Sequence, residues 1–203
     1  RRNAQDLRLR QYDVVLPSLP AAFDGYRLLH VSDSHFDVFP ELAEETHRLV
    51  AGLDVDLLVF TGDALGKART LTGHAADLLA RGLRGVSARD GRIAVLGNHD
   101  PVDMVGELRR IGFEVLVNES IAVTRGEERL RLTGLDDVHY FYTPQAHAAL
   151  GEAADGCSIA LVHSAELADH AADAGYSLYL AGHTHGGQIA LPGGRPLLTQ
   201  LTR

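Results

Sequence analysis

A layered α/β domain is what the sequence predicts, and three observations predict it. Short apolar runs of strand type recur along the chain, and Ala- and Leu-rich stretches of helical period alternate with them. In the middle of the chain, strands follow one another directly, separated only by turn residues. The first two observations describe βα units. The third argues against a purely parallel sheet and favours two packed mixed β-sheets flanked by helices.

Taken in order, residues 8–16 (LRLRQYDVV) alternate in polarity and predict a half-exposed strand ending at Pro17. The run YRLLHVS, from Tyr26 to Ser32, reads as a buried strand. Pro40 suits the first turn of a helix over PELAEETHRLVAGL, with Leu42, Leu49, Val50 and Leu53 on one face. DLLVFT, from Asp56 to Thr61, predicts the next buried strand, a helix follows near 73–84, and RIAVL from Arg92 to Leu96 is a third strand. After a helix near 102–111 come FEVLVNE, SIAVTRG and RLRLTGL, expected to be antiparallel neighbours. A helix near 144–151, the strand SIALVHS, the helix AELADHAADAG, the strand YSLYLAGH and the run QIALPGG complete the series.

With 203 residues, 45% hydrophobic and 23% charged, the chain fits a single globular domain over 1–203. A formal net charge of -8 disfavours nucleic acid as a partner, because a phosphate backbone is itself anionic. Arg1, Arg2, Arg8 and Arg10 cluster at the start, either as a solvated run or as a juxtamembrane basic edge. One cysteine, Cys157, forbids an internal disulfide and sits in an apolar run as a buried thiol. No stretch reaches the length of about 20 apolar residues that spans a bilayer. The chain begins at Arg1 without Met and stops at Arg203 after the start of a strand-like run, as expected of a segment truncated at both ends.

The polar residues carry the chemistry. Each buried-strand candidate ends in a cluster of metal-ligand types: Asp33-Ser34-His35, Gly62-Asp63, Gly97-Asn98-His99-Asp100, His163, and Gly182-His183-Thr184-His185. In layered α/β folds, ligands bind in the loops beyond the carboxyl ends of the strands, so five such loops can converge on one edge. Carboxylate, imidazole and amide oxygen together suit Mn, Fe, Zn, Ni or Co, and the absence of cysteine argues against a structural thiolate zinc site. The number of ligands exceeds the needs of one open catalytic site and points to two divalent ions with a shared carboxylate.

Each cluster alone has a plainer explanation. Asp33 and Asp63 suit caps at strand-to-helix turns, Asn98 a turn residue, His163 a satisfied polar group at a strand end, and His183 with His185 a chance pair. Those explanations fail together, because all five would have to follow successive strands by accident. His30, His47, His74, His139, His147 and His170 fall mainly in helical or loop contexts and receive no role as ligands.

The ordered set D-x-H (Asp33, His35), GD (Gly62, Asp63), GNHD (Gly97–Asp100), His163 and GHTH (Gly182–His185) resembles the signature of the calcineurin-like metallophosphoesterase family. It covers the chain from about residue 26 to 190. The extended GHTHGGQ, through Gln188, and the lead-in LPSLPAAFDGYRLLHVSD resemble a branch of bacterial phosphodiesterases, often membrane-associated, that includes enzymes similar to UDP-2,3-diacylglucosamine pyrophosphatase.

The resemblance implies a four-layer αββα sandwich. It implies one metal ion on Asp33, His35 and His185, a second on Asn98, His163 and His183, and Asp63 bridging the two. His99 is implied as a catalytic histidine facing the substrate phosphate, with Asp100 as its orienting partner. A hydroxide held between the two ions would attack phosphorus in line, without a covalent phosphoenzyme. The implied activity is hydrolysis of a phosphomonoester, phosphodiester or pyrophosphate bond in a small-molecule, nucleotide-linked or lipid-linked substrate. The implied place is the membrane surface or cell envelope, through an N-terminal segment, and otherwise the cytoplasm.

Relatives often carry an acidic residue near Ala64-Leu65, and His-Asn-Pro or His-Pro-Asp where this chain has His163-Ser164-Ala165-Glu166. Two competing functions are a non-catalytic scaffold for protein binding, which would have shed ligands, and a nuclease, which would need a basic groove. Phe36, Asp37, Phe39 and the run His139-Tyr140-Phe141-Tyr142 are candidates for a substrate pocket, with ordinary core packing as their alternative.

Overall fold

The computed structural model describes residues 7–139, 143–151, 156–185, 189–190 and 196–198. In chain order the elements begin β1 (Leu28–Val31), α1 (Glu41–Val50), β2 (Asp54–Val55), β3 (Leu57–Thr61), α2 (Thr72–Gly82), β4 (Ser87–Ala88) and β5 (Arg92–Val95). They continue α3 (Met104–Arg110), β6 (Glu114–Val115), β7 (Glu119–Arg125), β8 (Glu128–Gly134), α4 (Pro144–Gly151) and β9 (Ser158–Leu161). The last are α5 (Ala168–Asp173), β10 (Leu178–Leu180), β11 (Ile189–Ala190) and β12 (Pro196–Leu198).

Two four-stranded sheets organise the chain, in the orders β1-β3-β5-β6 and β10-β9-β8-β7. The first is parallel throughout. In the second, β10, β9 and β8 run parallel and β7 closes the edge antiparallel to β8. Strand alternation then builds the layers. Leu58, Phe60 and Ala94 face outward onto Leu42, Val50, Leu78, Leu79, Met104 and Leu108 of α1, α2 and α3. Leu57, Val59, Ile93 and Val95 face inward, against Leu130, Leu132, Ile159 and Leu161 of the second sheet. On that sheet's other side, Ala160 and Val162 meet Ala146, Leu150 and Ala171 of α4 and α5. The architecture is therefore helices, sheet, sheet, helices. All five residues of β3 are buried, which explains why DLLVFT is continuously apolar rather than alternating.

Three expectations need correction. Residues 8–16 form no strand; Tyr12 is 74% and Val15 89% exposed. Alternating polarity specifies a strand only where a sheet edge offers a ladder, and none pairs with this segment among the described residues. FEVLVNE does not join the antiparallel pair. The crossover helix α3 returns the chain parallel to β5, so β6 belongs to the first sheet, and the chain changes sheets just before β7. In α1 the buried face is Leu42, Ala43 and Val50, whereas Leu49 is 40% exposed. The run QIALPGG is met only as β11, since Gln188 and 191–195 lie outside the described residues. Among the described residues no helix is long and apolar enough to cross a membrane.

An ionic clamp joins the two sheets at the end opposite the loops that follow β1, β3 and β5. Arg125, the last residue of β7, donates to Asp56 and to Asp90, each at 2.9 Å, and to the carbonyl of Ala22 at 3.1 Å. Its guanidinium also lies over the rings of Phe23 and Tyr26, at 5.0 and 4.8 Å. Asp56 accepts further bonds from the Arg27 amide at 2.6 Å and from Arg89. Burial opposes ionisation of Asp56, but the Arg27 amide and the two arginines outweigh it and hold its carboxyl below the usual range. A depressed folded pKa gives stability that is present above the unfolded value and lost as pH falls through the folded one. Asp56→Asn is expected to lower Tm by about 2–4 °C at pH 7, the equivalent of about 1 kcal/mol in a chain of this size. That deficit should shrink as pH drops below about 3.9, and a difference unchanged with pH in thermal melts would refute the ionic origin.

Candidate metal centre

Every predicted cluster lies just past the carboxyl end of a parallel strand. Asp33 and His35 follow β1, Asp63 follows β3, and Asn98, His99 and Asp100 follow β5. His163 follows β9, and His183 and His185 follow β10. Three loops thus come from one sheet and two from the other, and main-chain bonds lace them together. Asp33 N–H donates to the Gly62 carbonyl at 3.0 Å, and His35 N–H to the Asp63 carbonyl at 3.3 Å. Gly182 N–H donates to the His163 carbonyl at 2.8 Å.

The backbone here is unusual in a way the sequence reading missed. Among the described residues, the non-glycine positions with positive φ are Asp33, His35, Asp63, Asn118, His183 and His185. Five of these six are predicted ligands. Left-handed backbone is costly for most L-residues, on the order of 1–3 kcal/mol at functional sites, and Asn, Asp and His tolerate it best. The residue types that bind metals are therefore also those that can occupy these tight loops. That double suitability was the available signal.

The side chains converge. Asp33, His35 and His185 each present a ligand atom within 4.8 Å of the others, and so do Asp33, Asp63 and His163. Asp63 Oδ2 lies 3.5 Å from His35 Nε2 and 3.3 Å from His163 Nε2, which places it between the two groups. Asp33 Oδ1 is 3.2 Å from His185 Nε2, and both Asp33 oxygens accept the His183 amide, at 3.1 and 3.0 Å. Asn98 Oδ1 is 3.1 Å from His163 Nε2 and 2.9 Å from His183 Nδ1. The rings of His35 and His185 stack at 5.3 Å, and the exposed His99 meets His35 edge-on at 5.5 Å.

Hydrogen bonds orient the imidazoles. His35 Nδ1–H donates to the Leu65 carbonyl at 2.9 Å, and His163 Nδ1–H to the Thr61 carbonyl at 2.7 Å. Each Nε2 is thereby left facing the carboxylates. The resulting cluster sets acceptor atoms against one another in a largely buried place, which calls for cations between them, protons or metal ions. The donor set of carboxylates, imidazoles and one amide oxygen fits divalent ions of the manganese-to-zinc series.

The titration shifts report the same demand. Burial opposes it, yet the hydrogen bond to Asp63 and that residue's charge carry His163 up to about 9. Against burial, bonds from His185 and Ser32 and the nearby imidazoles hold Asp33 at about 2. His35 and His183 are pushed down, chiefly by burial.

Some expected placements differ. Asp100 was expected to orient His99, but its carboxylate instead accepts the main-chain N–H groups of Asp63 at 2.7 Å, Gly97 at 3.0 Å and Leu65 at 3.1 Å. It ties the second loop to the third, and burial together with the Asp63 charge raises its pKa to about 6. Asp63 Oδ1 accepts the His99 amide at 2.9 Å. Phe36 is core, 4% exposed, and Phe39 packs against the same cluster. The buried Asp37 accepts from the amides of Gly66 and Lys67 and from the Thr70 hydroxyl, all at 2.8 Å, so it folds a loop rather than lining a pocket. Tyr140, Phe141, Tyr142, Arg1, Arg2 and the Gly186–Gln188 end of GHTHGGQ lie outside the described residues. One histidine outside the predicted ligand set, expected only as a pocket or core residue, does enter the site. His139 packs its ring 4.5 Å from that of His183 and pairs with Glu166 at 3.0 Å.

Comparison with known proteins agrees with the geometry. A family model described as Calcineurin-like phosphoesterase matches residues 26–187. The uncharacterized metallophosphoesterase YkuE of Bacillus subtilis is 31% identical over 192 residues, an alignment covering 89% of this chain and 65% of YkuE. Phosphodiesterase YaeI of Escherichia coli is 26% identical over 177 residues, covering 82% of this chain and 63% of YaeI. UDP-2,3-diacylglucosamine pyrophosphatase LpxG of Chlamydia trachomatis is 24% identical over 242 residues, covering 92% of this chain and 71% of LpxG. These alignments span about two thirds of the length of each relative.

Proposed function

The chain belongs to the calcineurin-like phosphoesterase family, and from that premise we propose that it hydrolyses a phosphodiester or pyrophosphate bond at a centre of two divalent ions. One observation carries the reading. Seven side chains of ligand type, from five loops, bring their acceptor atoms together with the ring N–H groups of His35 and His163 turned away to carbonyls. Asp33, His35 and His185 would hold one ion, and Asn98, His163 and His183 the other, with Asp63 shared between them. Bound there, the ions would supply Lewis acidity toward the phosphoryl oxygens and an acidified water.

The protein's own groups do the rest. Asp63 fixes the spacing of the two half-sites through His35 and His163. Its bond from the His99 amide holds the neighbouring loop so that the exposed His99 ring stands at the mouth. From there His99 can donate a hydrogen bond or a proton to the leaving oxygen. Asp100 keeps the Asp63 and Gly97 loops in register.

The finer part of the proposal is the substrate class, a nucleotide- or lipid-linked diester or pyrophosphate met at a membrane surface. Its support is the likeness to a phosphodiesterase and to a pyrophosphatase of a diacylated nucleotide sugar. The purified protein is expected to cleave bis-p-nitrophenyl phosphate faster than the monoester when supplied with Mn or Zn, and to lose at least about 95% of that rate in excess chelator. Metal analysis should find close to two ions per chain. Chelator-insensitive hydrolysis, or a metal-free and inactive protein, would overturn the reading, the latter in favour of a scaffold. Comparison of monoesters, diesters, nucleotide-sugar pyrophosphates and UDP-2,3-diacylglucosamine settles the class.

A further inference from the structure

The histidines of the centre are not all oriented in the same way. The Nδ1–H groups of His35 and His163 are anchored to carbonyls, as is usual for metal-ligating imidazoles, whose second nitrogen fixes the ring. His183 lacks such an anchor. Its Nδ1 faces Asn98 Oδ1 at 2.9 Å and His163 Nε2 at 3.3 Å, while its Nε2 is buried without a hydrogen-bond partner among the described residues. Its Nδ1 thus meets only other predicted ligands, and among the described residues no group outside that set holds the ring by a hydrogen bond.

Among the described residues the ring packed closest against it is that of His139, with centroids 4.5 Å apart and planes inclined by 47°. His139 is itself held in place. Its Nδ1 pairs with Glu166 Oε1 at 3.0 Å, and its amide donates to Asp137 Oδ1 at 3.1 Å. Asp137 is 2% exposed, and the side chains of His139 and Glu166 are 13% and 11% exposed, so the brace is largely sheltered from water. Its two halves come from different places. His139 lies in the loop beyond β8, which ends at Gly134, and Glu166 lies three residues after His163, on a loop whose Ser164 carbonyl accepts the Tyr179 hydroxyl at 2.7 Å. A ring clamped in this way restricts rotation of His183 about its side-chain bonds, with Nδ1 turned toward Asn98.

We propose that His139, braced by Glu166, is a positioning residue that sets the ring of His183 for the ion shared with Asn98 and His163. The proposal rests on the two-ion reading above and adds a residue pair outside the predicted ligand set. Because the clamp touches one half-site, its removal should weaken one ion and spare the other. Outer partners of metal-ligating histidines typically contribute about 10–100-fold in affinity.

The test titrates the metal-stripped full chain with cobalt(II) alone, following the visible spectrum and competing with a chelator of known affinity. Wild type should show two binding events. In His139→Ala one of the two events should fall in affinity by about 10–100-fold with an altered spectrum, and the other should stay within about twofold. His139→Phe, which keeps a ring against His183, should recover most of the loss, whereas Glu166→Ala should show a smaller loss in the same direction. Unchanged affinities in His139→Ala overturn the proposal. So does an equal loss at both ions, which marks general destabilisation, and so does failure of His139→Phe to recover a folded protein's second event. A wild type that binds no cobalt defeats the two-ion reading itself, and the positioning role falls with it.

Discussion

Replacing Asp63 with Asn is expected to abolish two-ion binding and to lower kcat on bis-p-nitrophenyl phosphate by more than about a hundredfold. The substitution isolates charge from shape. Asp63 has φ 61, and Asn is among the non-glycine residues that tolerate left-handed backbone best. An amide oxygen can still accept the His99 amide, which Asp63 Oδ1 takes at 2.9 Å. What disappears is the anion 3.5 Å from His35 Nε2 and 3.3 Å from His163 Nε2. Loss of an outer partner of a metal site costs about 10–100-fold, so loss of a shared anionic ligand should exceed that range. Metal analysis should fall from two ions toward one or none, while the thermal melt of the metal-free protein stays cooperative. Retention of both ions and of more than about half the rate would show that Asp63 is not shared between them.

How much of this was legible in the sequence depends on what each feature needs. The ligand clusters were legible because strand ends are marked locally, by an apolar run and then a polar pair, and five such marks in order are hard to explain otherwise. The fully buried β3 was legible for the same reason. Strand partners were not. FEVLVNE and SIAVTRG look alike as apolar runs, and only the crossover helix α3 sends the first into the parallel sheet. Residues 8–16 show that polarity alternation without a ladder is not a strand.

Two site features were hidden by longer range still. Asp100 stands beside His99 in the motif, yet its oxygens reach Asp63 and Leu65 across the loop, 37 and 35 residues away. His139 and Glu166 are 27 residues apart and become a pair only when β8 and β9 lie side by side. The left-handed backbone of Asp33, His35, Asp63, His183 and His185 belongs to the same class. Each loop is forced into its turn by the loops packed on it, so the strain belongs to the assembled site and not to any one segment.

That assembled tightness sets the last large expectation. Gly62 has φ +89, and a Cβ added there would fall on Gly97 N, with Gly97 Cα and the Leu96 carbonyl carbon both at 2.7 Å. All three are main-chain atoms of the neighbouring loop, which Asp100 already ties to Asp63 and Leu65, so none can swing aside as a side chain would. Gly62→Ala is therefore expected to cost about 3–5 kcal/mol, from left-handed strain plus the displaced loop, and to lower Tm by roughly 6–20 °C. Gly25→Ala is the control. Its φ is +71, but a Cβ there meets nothing within 4 Å, so it should cost only the conformational term of about 1 kcal/mol. The difference between the two measures the contact between the Asp63 and Asn98 loops alone. If both variants lose the same stability in denaturant titrations, those loops are not pressed together, and the spacing of Asp63 against Asn98 is not fixed by the fold.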